Sequence, residues 1–294
     1  MNSPIPPIAN PASLPATFTS PDHLLDHVTV NWRLNFVTDD LASVELVRQF
    51  AKRPFFMLVD VDAPLLLRYH RSYSTDSMTL EEFVRQNDDC VFGTNAYSSP
   101  SQQVPMGLRA MDQFVKLSVI NTFQLISDLH GYLDTLDLLD FERLRPRWDT
   151  YFMARNTLAD LASQRSNCMK RRVGAILVRE NRIVATGYNG TPRGVTNCNE
   201  GGCARCNRLT TEDAECLCLH AEENALLEAG RDRVGVNATL FCNTCPCLKC
   251  TIKIIQSGVK EVVYNLSYKV DEASARLFKE AGVRIRRHVL PAAQ

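Results

Sequence analysis

Two stretches in the second half of the chain decide its fold and its chemistry: Leu219-His220-Ala221-Glu222-Glu223-Asn224 and Cys245-Pro246-Cys247-Leu248-Lys249-Cys250. His220, Cys247 and Cys250 offer one imidazole and two thiolates, which suit a tetrahedral zinc ion whose fourth position is left for water. Glu222 follows His220 by two residues, so its carboxylate lies near the metal without having to bind it. A Cys-x-x-Cys alone fits a structural or redox-active site, whereas the combination predicts catalytic zinc with its own proton carrier.

Each stretch coincides with the start of a predicted helix. His220 begins a helical run that Gly230 is well placed to end, and Pro246 suits the first turn of a helix from Cys247 to Ser257. The positive end of that helix lowers the pKa of thiols, and cysteines three residues apart share one helical face. We therefore expect both helix starts to face one metal ion.

Composition excludes several other classes of protein. The chain has 294 residues, enough for two modest domains, and its 33 basic and 33 acidic residues give no global charge that would attract nucleic acid. No apolar run approaches the roughly 20 residues that span a bilayer, and the first 21 residues lack the basic and apolar blocks of a signal peptide. We expect neither a membrane nor a nucleic-acid partner.

Cysteine is the unusual residue, with eleven in the chain, and only Cys90 precedes residue 168. Disulfides are the first alternative for such a density. The odd number, the lack of an export signal and the zinc pattern favour reduced thiols instead. The expected location is therefore the cytoplasm, with the nucleus as an alternative.

Three regions are predicted along the chain: a disordered Pro/Ser-rich tail at 1–26, a smaller α/β domain at 27–149 and the zinc domain at 150–294. In the middle region, the apolar run from Phe55 to Val61 predicts a buried strand, and Thr79-Leu80-Glu81-Glu82 predicts a capped helix start. This order resembles the second half of a small P-loop kinase of the dephospho-coenzyme A kinase type. The chain lacks Gly-x-x-x-x-Gly-Lys-Ser/Thr, so we expect no kinase activity. A packing or oligomerisation domain is favoured, with a regulatory site as the alternative.

The region from residue 150 has a more regular pattern. A helix over 150–167 leads to a hairpin, whose strands Val173 to Val178 and Arg182 to Gly187 flank a turn at Glu180-Asn181. Further helices are expected at 220–229, 247–257 and 271–281, and further strands at 238–242, 261–265 and 283–287. Strands that alternate with helices predict parallel pairing after an antiparallel hairpin.

Four motifs carry a resemblance to a known family: Arg171-Arg172-Val173-Gly174-Ala175, Gly187-Tyr188-Asn189-Gly190-Thr191-Pro192, the segment Cys218 to Ala225, and Cys245 to Cys250. His-x-Glu with Pro-Cys-x-x-Cys is the pattern of zinc-dependent nucleobase deaminases. With these neighbours, the chain from about residue 150 resembles the deoxycytidylate (dCMP) deaminases, especially the fungal type, of the cytidine and deoxycytidylate deaminase superfamily. The resemblance implies an α/β fold, a cytidine deaminase-like three-layer α/β/α sandwich with a mixed five-stranded sheet. It also implies hydrolysis of dCMP to dUMP and ammonia, which supplies thymidylate synthesis.

The expected chemistry assigns a role to each site residue. Zinc lowers the pKa of a bound water to about 7, and Glu222 carries the proton of that water to ring N3 and next carries another proton to the leaving amine. By resemblance, Asn189 contacts the sugar and Gly190 lines the nucleotide site, with a tight turn of left-handed residues as the alternative. The candidates for the phosphate, each alternatively a solvent-exposed residue, are Arg171 or Arg172, Arg231 and Tyr268.

A second zinc site is predicted between the hairpin and the catalytic helix. Cys203-Ala204-Arg205-Cys206 lies in a loop too polar to fold by hydrophobic burial alone, and a structural zinc would stabilise it. By resemblance, Cys168 and Cys198 match positions that bind such a metal. The remaining ligands are drawn from Cys203, Cys206, Cys216 and Cys218, and simple buried cysteines are the alternative.

The resemblance also implies partners. The family is commonly hexameric, activated by dCTP, which implies Mg2+ with the bound triphosphate, and inhibited by dTTP. We therefore expect a homo-oligomer that binds these nucleotides.

Two rival functions remain open at this stage. A cytidine or tRNA adenosine deaminase would use the same three ligands, but the cysteine-bearing insert between Asn189 and His220 favours a nucleoside monophosphate. A zinc-stabilised RNA-binding or scaffold protein is the alternative outside enzymes. Glu222 argues against it, because a purely structural site has no use for an unligated carboxylate.

Overall fold

The computed structural model describes residues 17–72, 78–93, 107–153, 158–207, 215–267 and 272–289. The chain divides into two compact units, Met1–Arg145 and Pro146–Gln294, and the division falls four residues before the predicted boundary between residues 149 and 150. Within the described ranges, no helix has the length and apolar character needed to cross a membrane.

The N-terminal unit has α/β structure. Its two strands pair in parallel, with Val59 opposite Leu117 and Val61 opposite Val119. Its elements are α1 (Pro21–Val30), α2 (Val44–Phe50), β1 (Leu58–Asp62), α3 (Leu65–Ser72), α4 (Leu80–Phe92), a 3₁₀ helix (Leu108–Phe114), β2 (Val115–Ile120), α5 (Ile126–Leu136) and a 3₁₀ turn (Phe141–Arg143).

The structure confirms some of the local sequence predictions in this unit and corrects others. The capping box is confirmed at the start of α4: the Thr79 hydroxyl accepts from the Glu82 backbone N–H at 3.3 Å, and the Glu82 carboxylate accepts from the Thr79 N–H at 2.8 Å. The strand predicted from Phe55 begins only at Leu58. The tail predicted to reach residue 26 is too long, because Ser20 caps a helix that starts at Pro21. Serine before proline is a helix start here rather than part of a disordered run.

The C-terminal unit contains a mixed five-stranded sheet in the order β4-β3-β5-β6-β7. β3 pairs antiparallel with β4 and β5, whereas β5, β6 and β7 pair in parallel, as predicted. Its elements are α6 (Trp148–Met153), α7 (Leu158–Ser163), β3 (Gly174–Arg179), β4 (Arg182–Tyr188), a 3₁₀ turn (Cys198–Glu200), α8 (Ala221–Val234), β5 (Thr239–Thr244), α9 (Leu248–Ser257), β6 (Glu261–Leu266), α10 (Glu272–Glu280) and β7 (Arg284–Arg287).

Helices cover both faces of this sheet and make three layers. Alternate residues of β3 point to opposite faces, so Leu177 packs with α8, α9 and α10 while Ile176 packs with α6 and α7. β5 divides in the same way, with Leu240 on the first face and Phe241 on the second. The turn residues Glu180 and Asn181 have φ of 53° and 60°, as a tight hairpin requires.

Two predicted helices differ from the structure. α7 ends at Ser163 instead of continuing to residue 167, because Ser166 and the residue after it use their side chains to bond distant loops; residues 154–157 lie outside the described ranges. Gly230 does interrupt the helix that follows His220, with φ of 66° and ψ of 157°, but a short helical segment continues to Val234.

Candidate active site

The three predicted catalytic ligands meet where two helices begin. His220 is the N-cap residue of α8, and Cys247 is the N-cap residue of α9, whose first turn contains Cys250. The ligand atoms of these three residues all lie within 4.8 Å of one another. The arrangement therefore matches the sequence-based expectation that both helix starts face one metal ion.

Distances between these atoms fit a tetrahedral ion. Zinc bonds of about 2.1 Å to nitrogen and 2.3 Å to sulfur imply a nitrogen-to-sulfur separation of about 3.6 Å in a tetrahedral site. His220 Nδ1 lies 3.4 Å from Cys247 Sγ and 3.2 Å from Cys250 Sγ. His220, Cys247 and Cys250 are thus the residues that would hold zinc, and their donor types are those zinc prefers.

A hydrogen bond joins the two thiols of the site. A hydrogen bond from Cys250 lowers the pKa of Cys247 to about 3, and a further bond from His220 acts in the same direction. The bond with Cys247 raises the pKa of Cys250 well above its usual range. The bond to Cys247 also raises the pKa of His220, although burial opposes it. A divalent cation would replace these protons, since zinc binds thiolate and neutral imidazole.

Glu222 is the carboxylate of the site. It lies in the first turn of α8, and its side chain is only 4% exposed. Burial raises the pKa of Glu222, while a backbone hydrogen bond and the charges of His220 and Arg171 partly oppose the shift. The carboxyl group therefore adjoins the ligand set and is shielded from bulk water.

Close packing of α8 on β4 positions His220 and Glu222. A Cβ atom added at Gly187 would lie 2.1 Å from the carbonyl oxygen of Ala221 and 2.5 Å from the backbone nitrogen of Ala225. Only glycine permits this approach between the strand and the first turns of the helix. The Asn224 amide also donates to the Tyr188 carbonyl at 2.9 Å, which ties α8 to the end of β4.

The loop after β4 runs beside the zinc ligand. Gly190 and Leu219 form an antiparallel bridge, with N–H to O distances of 3.2 Å and 2.8 Å. Leu219 immediately precedes His220, so this bridge holds the Gly-Tyr-Asn-Gly loop next to the site. Gly190 does not have a positive φ, and a Cβ there would lie 2.4 Å from Asn167 Oδ1, so a larger residue would displace the Asn167 side chain.

Asn189 is 6% exposed, and its side chain bonds to nearby segments of the same backbone. Its Oδ1 accepts from the Ser166 hydroxyl at 2.7 Å and from the Val173 N–H at 2.8 Å, while Nδ2 donates to the Arg171 carbonyl at 2.9 Å. Asn189 does not have a positive φ, so the expectation of a left-handed turn is wrong. The side chain instead closes a loop by hydrogen bonds.

The predicted phosphate contacts separate into three cases. Arg171 is exposed and acts on Glu222 through its charge, so it lies on the catalytic side of the unit. Arg231 follows Ala221 by ten residues and lies just beyond the interruption of α8 at Gly230. Its role as a phosphate contact stays a prediction. Tyr268 lies outside the described residues.

The six remaining candidate ligands form a second group, which we call the six-cysteine cluster. Two sets of four sulfur atoms each lie within 4.8 Å, and both sets include Cys206 and Cys218. The first set is completed by Cys168 and Cys198, and the second by Cys203 and Cys216. All eleven cysteines are free thiols. The structure thus brings together every residue proposed for the second zinc site.

Backbone groups favour ionised sulfur in part of this cluster. Burial opposes ionisation of Cys168, but hydrogen bonds from the N–H groups of Lys170 and Arg171 and from the Cys206 and Cys218 side chains together lower its pKa. Burial likewise opposes ionisation of Cys203, but the N–H groups of Cys206 and Leu217 and the side chains of Cys206 and Cys216 together lower its pKa to about 6.

Several residues that hold the site together carry no motif. Ser166 bonds Asn189, and Asn167 Nδ2 donates to Asn197 Oδ1 at 2.8 Å. The partners are 23 and 30 residues apart in sequence. Polar residues of this kind are common in loops, so sequence reasoning had no local pattern by which to select them.

The fold and this site together define the class. A mixed sheet flanked by helices, one histidine and two cysteines at helix starts, and a buried glutamate that is not a ligand are the features of a zinc-dependent nucleobase deaminase.

Comparisons with known proteins place the chain within that class. The family model described as the cytidine and deoxycytidylate deaminase zinc-binding region matches residues 146–266. The deoxycytidylate deaminase of Schizosaccharomyces pombe is 49% identical over 278 residues, covering 92% of this chain and 82% of the relative. That of Saccharomyces cerevisiae is 44% identical over 283 residues, covering 91% and 85%. The chain belongs to the cytidine and deoxycytidylate deaminase family and, within it, to the deoxycytidylate deaminases.

A solved structure also matches. The dCMP deaminase of cyanophage S-TIM5 in complex with dCMP and dUMP is 29% identical, covering 56% of this chain and 100% of that chain with a TM-score of 0.36.

Proposed function

We propose that this chain hydrolyses dCMP to dUMP and ammonia, supplying dUMP for thymidylate synthesis. One observation carries the proposal: Glu222 is buried beside the three converging ligands His220, Cys247 and Cys250. The curated relatives, both deoxycytidylate deaminases at 44% and 49% identity, support dCMP as the substrate.

The chain's own residues provide binding and proton transfer. Zinc, when bound, supplies a Lewis acid that generates a nucleophile from water at neutral pH. Glu222 takes up a proton from the attacking water and delivers it to ring N3, which makes C4 electrophilic. It then takes the remaining proton from the hydroxyl group added at C4 and passes it to the exocyclic amine, so that ammonia leaves. The small exposed fraction of Glu222 keeps bulk water from competing for this proton.

We assign the substrate side of the site to the loop around Asn189 and Gly190 and to Arg171. The bridge from Gly190 to Leu219 places that loop beside His220, and Arg171 is the candidate cation whose charge reaches Glu222. Because Asn189 Oδ1 already accepts two hydrogen bonds, a contact with the sugar would use the second N–H of Nδ2. Tyr268 remains a proposed phosphate contact.

A structural zinc in the six-cysteine cluster is part of this proposal. Its sulfur atoms cluster in segments that are largely outside helices and strands, where hydrophobic burial is small. By family likeness we also propose a homo-oligomer, in particular a hexamer, with activation by dCTP and Mg2+ and inhibition by dTTP. The eleven free thiols support a reducing compartment, the cytoplasm or the nucleus.

The N-terminal unit is proposed to be a packing or oligomerisation module with a degenerate P-loop kinase-like fold and no kinase activity. Its parallel strand pair with flanking helices supports the α/β part of that proposal. The curated relatives align over more than nine tenths of this chain, so the similarity extends into this unit.

The purified full-length chain should be assayed for ammonia release from dCMP, CMP, deoxycytidine and tRNA. We expect dCMP to have the highest kcat/KM. Equal or faster turnover of deoxycytidine, or release from tRNA alone, would instead identify the cytidine or tRNA adenosine alternative. No turnover of any substrate by the zinc-loaded protein would favour a binding or scaffold role.

Glu222→Gln is the matched variant for this assay. The amide keeps the size of the side chain but cannot carry the proton, so kcat should fall by about 10² to 10⁴. Zinc content, measured by elemental analysis, should stay at the parent value because Glu222 is not a ligand. Near-normal kcat in this variant would remove Glu222 from the mechanism.

A further inference from the structure

The six-cysteine cluster holds more thiols than one metal ion can use. Zinc in a structural protein site takes four ligands. Here the sulfur atoms form two sets of four that overlap in Cys206 and Cys218. An ion in either set would leave two sulfur atoms of the other set unligated beside it.

Individual distances match those of metal-bound thiolates. With zinc–sulfur bonds of 2.3 Å, two ligands of one tetrahedral ion are about 3.8 Å apart. Cys206 Sγ lies 3.8 Å from Cys168, 3.5 Å from Cys216 and 3.9 Å from Cys218. Cys203 Sγ lies 3.8 Å from Cys216. These separations are far longer than the roughly 2.05 Å of a disulfide.

The position of Cys206 argues for a shared ligand. Its sulfur is within 3.9 Å of sulfur atoms from both sets, so it lies between them rather than at one edge. Cys218 is the other member common to the two sets. A thiolate has several lone pairs and can therefore bridge two cations.

From this overlap we propose that the cluster binds two zinc ions, with Cys206 and Cys218 bridging them. Cys168 and Cys198 complete the four ligands of one ion, and Cys203 and Cys216 complete those of the other. The inference rests on the structural-zinc part of the proposed function and raises its metal count from one to two.

Charge and hydrogen bonding favour two ions over one. Cys198, Cys203, Cys206 and Cys218 are 0–8% exposed, and thiolates buried to that extent need a neutralising charge. Two divalent ions offset four of the six negative charges. Backbone N–H groups contribute to the rest: Met169 N lies 3.4 Å from Cys198 Sγ, and Cys168 accepts from Lys170 and Arg171.

The cluster adjoins the catalytic ligands through the chain. Cys218 precedes His220 by two residues, with the bridge residue Leu219 between them. Cys168 follows Ser166, whose hydroxyl bonds Asn189, by two residues. A two-metal cluster would therefore fix both the segment that carries His220 and the loop that lies beside it.

Counting zinc in the purified full-length protein tests the inference, using native mass spectrometry and elemental analysis after removal of loosely bound metal. We expect three zinc ions per chain: one at His220, Cys247 and Cys250, and two in the cluster. Two ions would overturn the two-metal cluster while leaving a single structural zinc in place. One ion would overturn both.

Matched double variants distinguish the two halves of the cluster. Cys168→Ser with Cys198→Ser, and separately Cys203→Ser with Cys216→Ser, should each lower the count from three to two, because one complete set of four remains. Cys90→Ser, an exposed cysteine in the N-terminal unit, is the control and should retain three. If one double variant keeps the full parental count, a single ion occupies the other set and the proposal fails.

A measurement on the parent protein covers the case in which the variants do not fold. X-ray absorption at the zinc edge should show a zinc–zinc scattering path, since ions that share thiolates lie close together. Isolated four-coordinate sites give no such path, and its absence would overturn the bridged arrangement.

Discussion

The two cysteine groups of the C-terminal unit use the same sulfur ligands in different structural settings. The catalytic ligands lie at the starts of α8 and α9, and one of them, Cys250, belongs to the main hydrophobic core together with Ala221, which follows His220. The buried members of the six-cysteine cluster form a separate packing group, with Cys168 packed against it. The hydrophobic core stabilises the catalytic site, so the metal there can serve catalysis. The six-cysteine cluster lacks that support, so its metal has to stabilise the fold.

Loss of one ligand should mainly reduce activity in the catalytic group and mainly reduce stability in the six-cysteine cluster. Cys250→Ser should lower kcat/KM at least about a thousandfold, since the metal generates the nucleophile, while the core keeps most of the fold. Cys206→Ser should mainly destabilise the cluster segment, residues 198–207 and 215–218, because structural zinc provides folding free energy, about 10 to 16 kcal/mol in zinc-finger peptides. Limited proteolysis and thermal unfolding, with Cys90→Ser as the control, measure the second effect. If Cys206→Ser leaves this segment protected, the contrast between the two groups is wrong.

Packing beneath the catalytic ligands offers a second comparison. Gly187→Ala would place a methyl group 2.1 Å from the Ala221 carbonyl, so α8 has to move away from β4. We expect a loss of about 1 to 3 kcal/mol in unfolding free energy and a lower kcat, because His220 and Glu222 move with the helix. Urea denaturation and steady-state kinetics measure both.

Gly131→Ala is the control for that substitution. Gly131 lies in α5, and a Cβ there meets nothing within 4 Å. Alanine should stabilise this helix by about 0.5 to 1 kcal/mol without affecting turnover. Equal behaviour of the two variants would show that close packing at Gly187 is not what positions α8.

Substitution of two asparagines, one near each cysteine group, tests whether the two groups have separate functions. Asn189→Ala leaves the Val173 N–H and the Arg171 carbonyl without their partner, at a cost of about 1 to 3 kcal/mol, and should raise KM for dCMP because the substrate loop loosens. Asn207→Ala removes bonds to the carbonyls of Cys198 and Cys203, at 2.7 Å and 2.9 Å, and should speed release of cluster zinc to a chromophoric chelator. A KM change in Asn207→Ala as large as in Asn189→Ala would show that the two loops are not separate in function.

The smallest predicted effect lies away from both groups. Arg286 donates to both oxygens of Asp149, at 2.6 Å and 2.8 Å, and this bond lowers the pKa of Asp149 although burial opposes it. The carboxylate therefore stabilises the fold above the ordinary carboxyl pKa of about 3.9, and the contribution disappears as pH falls through the lowered value. Asp149→Asn should lose about 0.5 to 1 kcal/mol at pH 7 and converge with the parent in strong acid.

Glu81→Gln is the comparison for this ion pair. Glu81 pairs with Arg85 at 3.1 Å, but both side chains are at least 70% exposed, so its loss should be hardly measurable. Denaturation at several pH values tests both variants. A pH-independent loss in Asp149→Asn would mean that the charge of Asp149 is not the cause.

Much of the catalytic site was predictable because its residues act through local patterns. Histidine, cysteine and glycine at helix boundaries mark where α8 and α9 begin and where α8 is interrupted, and spacing within a helix places Glu222 beside His220. The phosphate contact proposed at Arg231 is of another kind, because nearness in sequence to the catalytic helix does not establish nearness in space.

Sequence alone determined the ligand types, the proton carrier and the order of strands and helices, because these depend on side-chain chemistry and on periods of a few residues. Tertiary structure alone decided which cysteines share a neighbour, why Gly187 has to be glycine, and that Asn189 bonds to Ser166, Val173 and Arg171. Those contacts join residues that are distant along the chain. Their formation depends on how the sheet and the loops fold back on one another, and no local pattern encodes that.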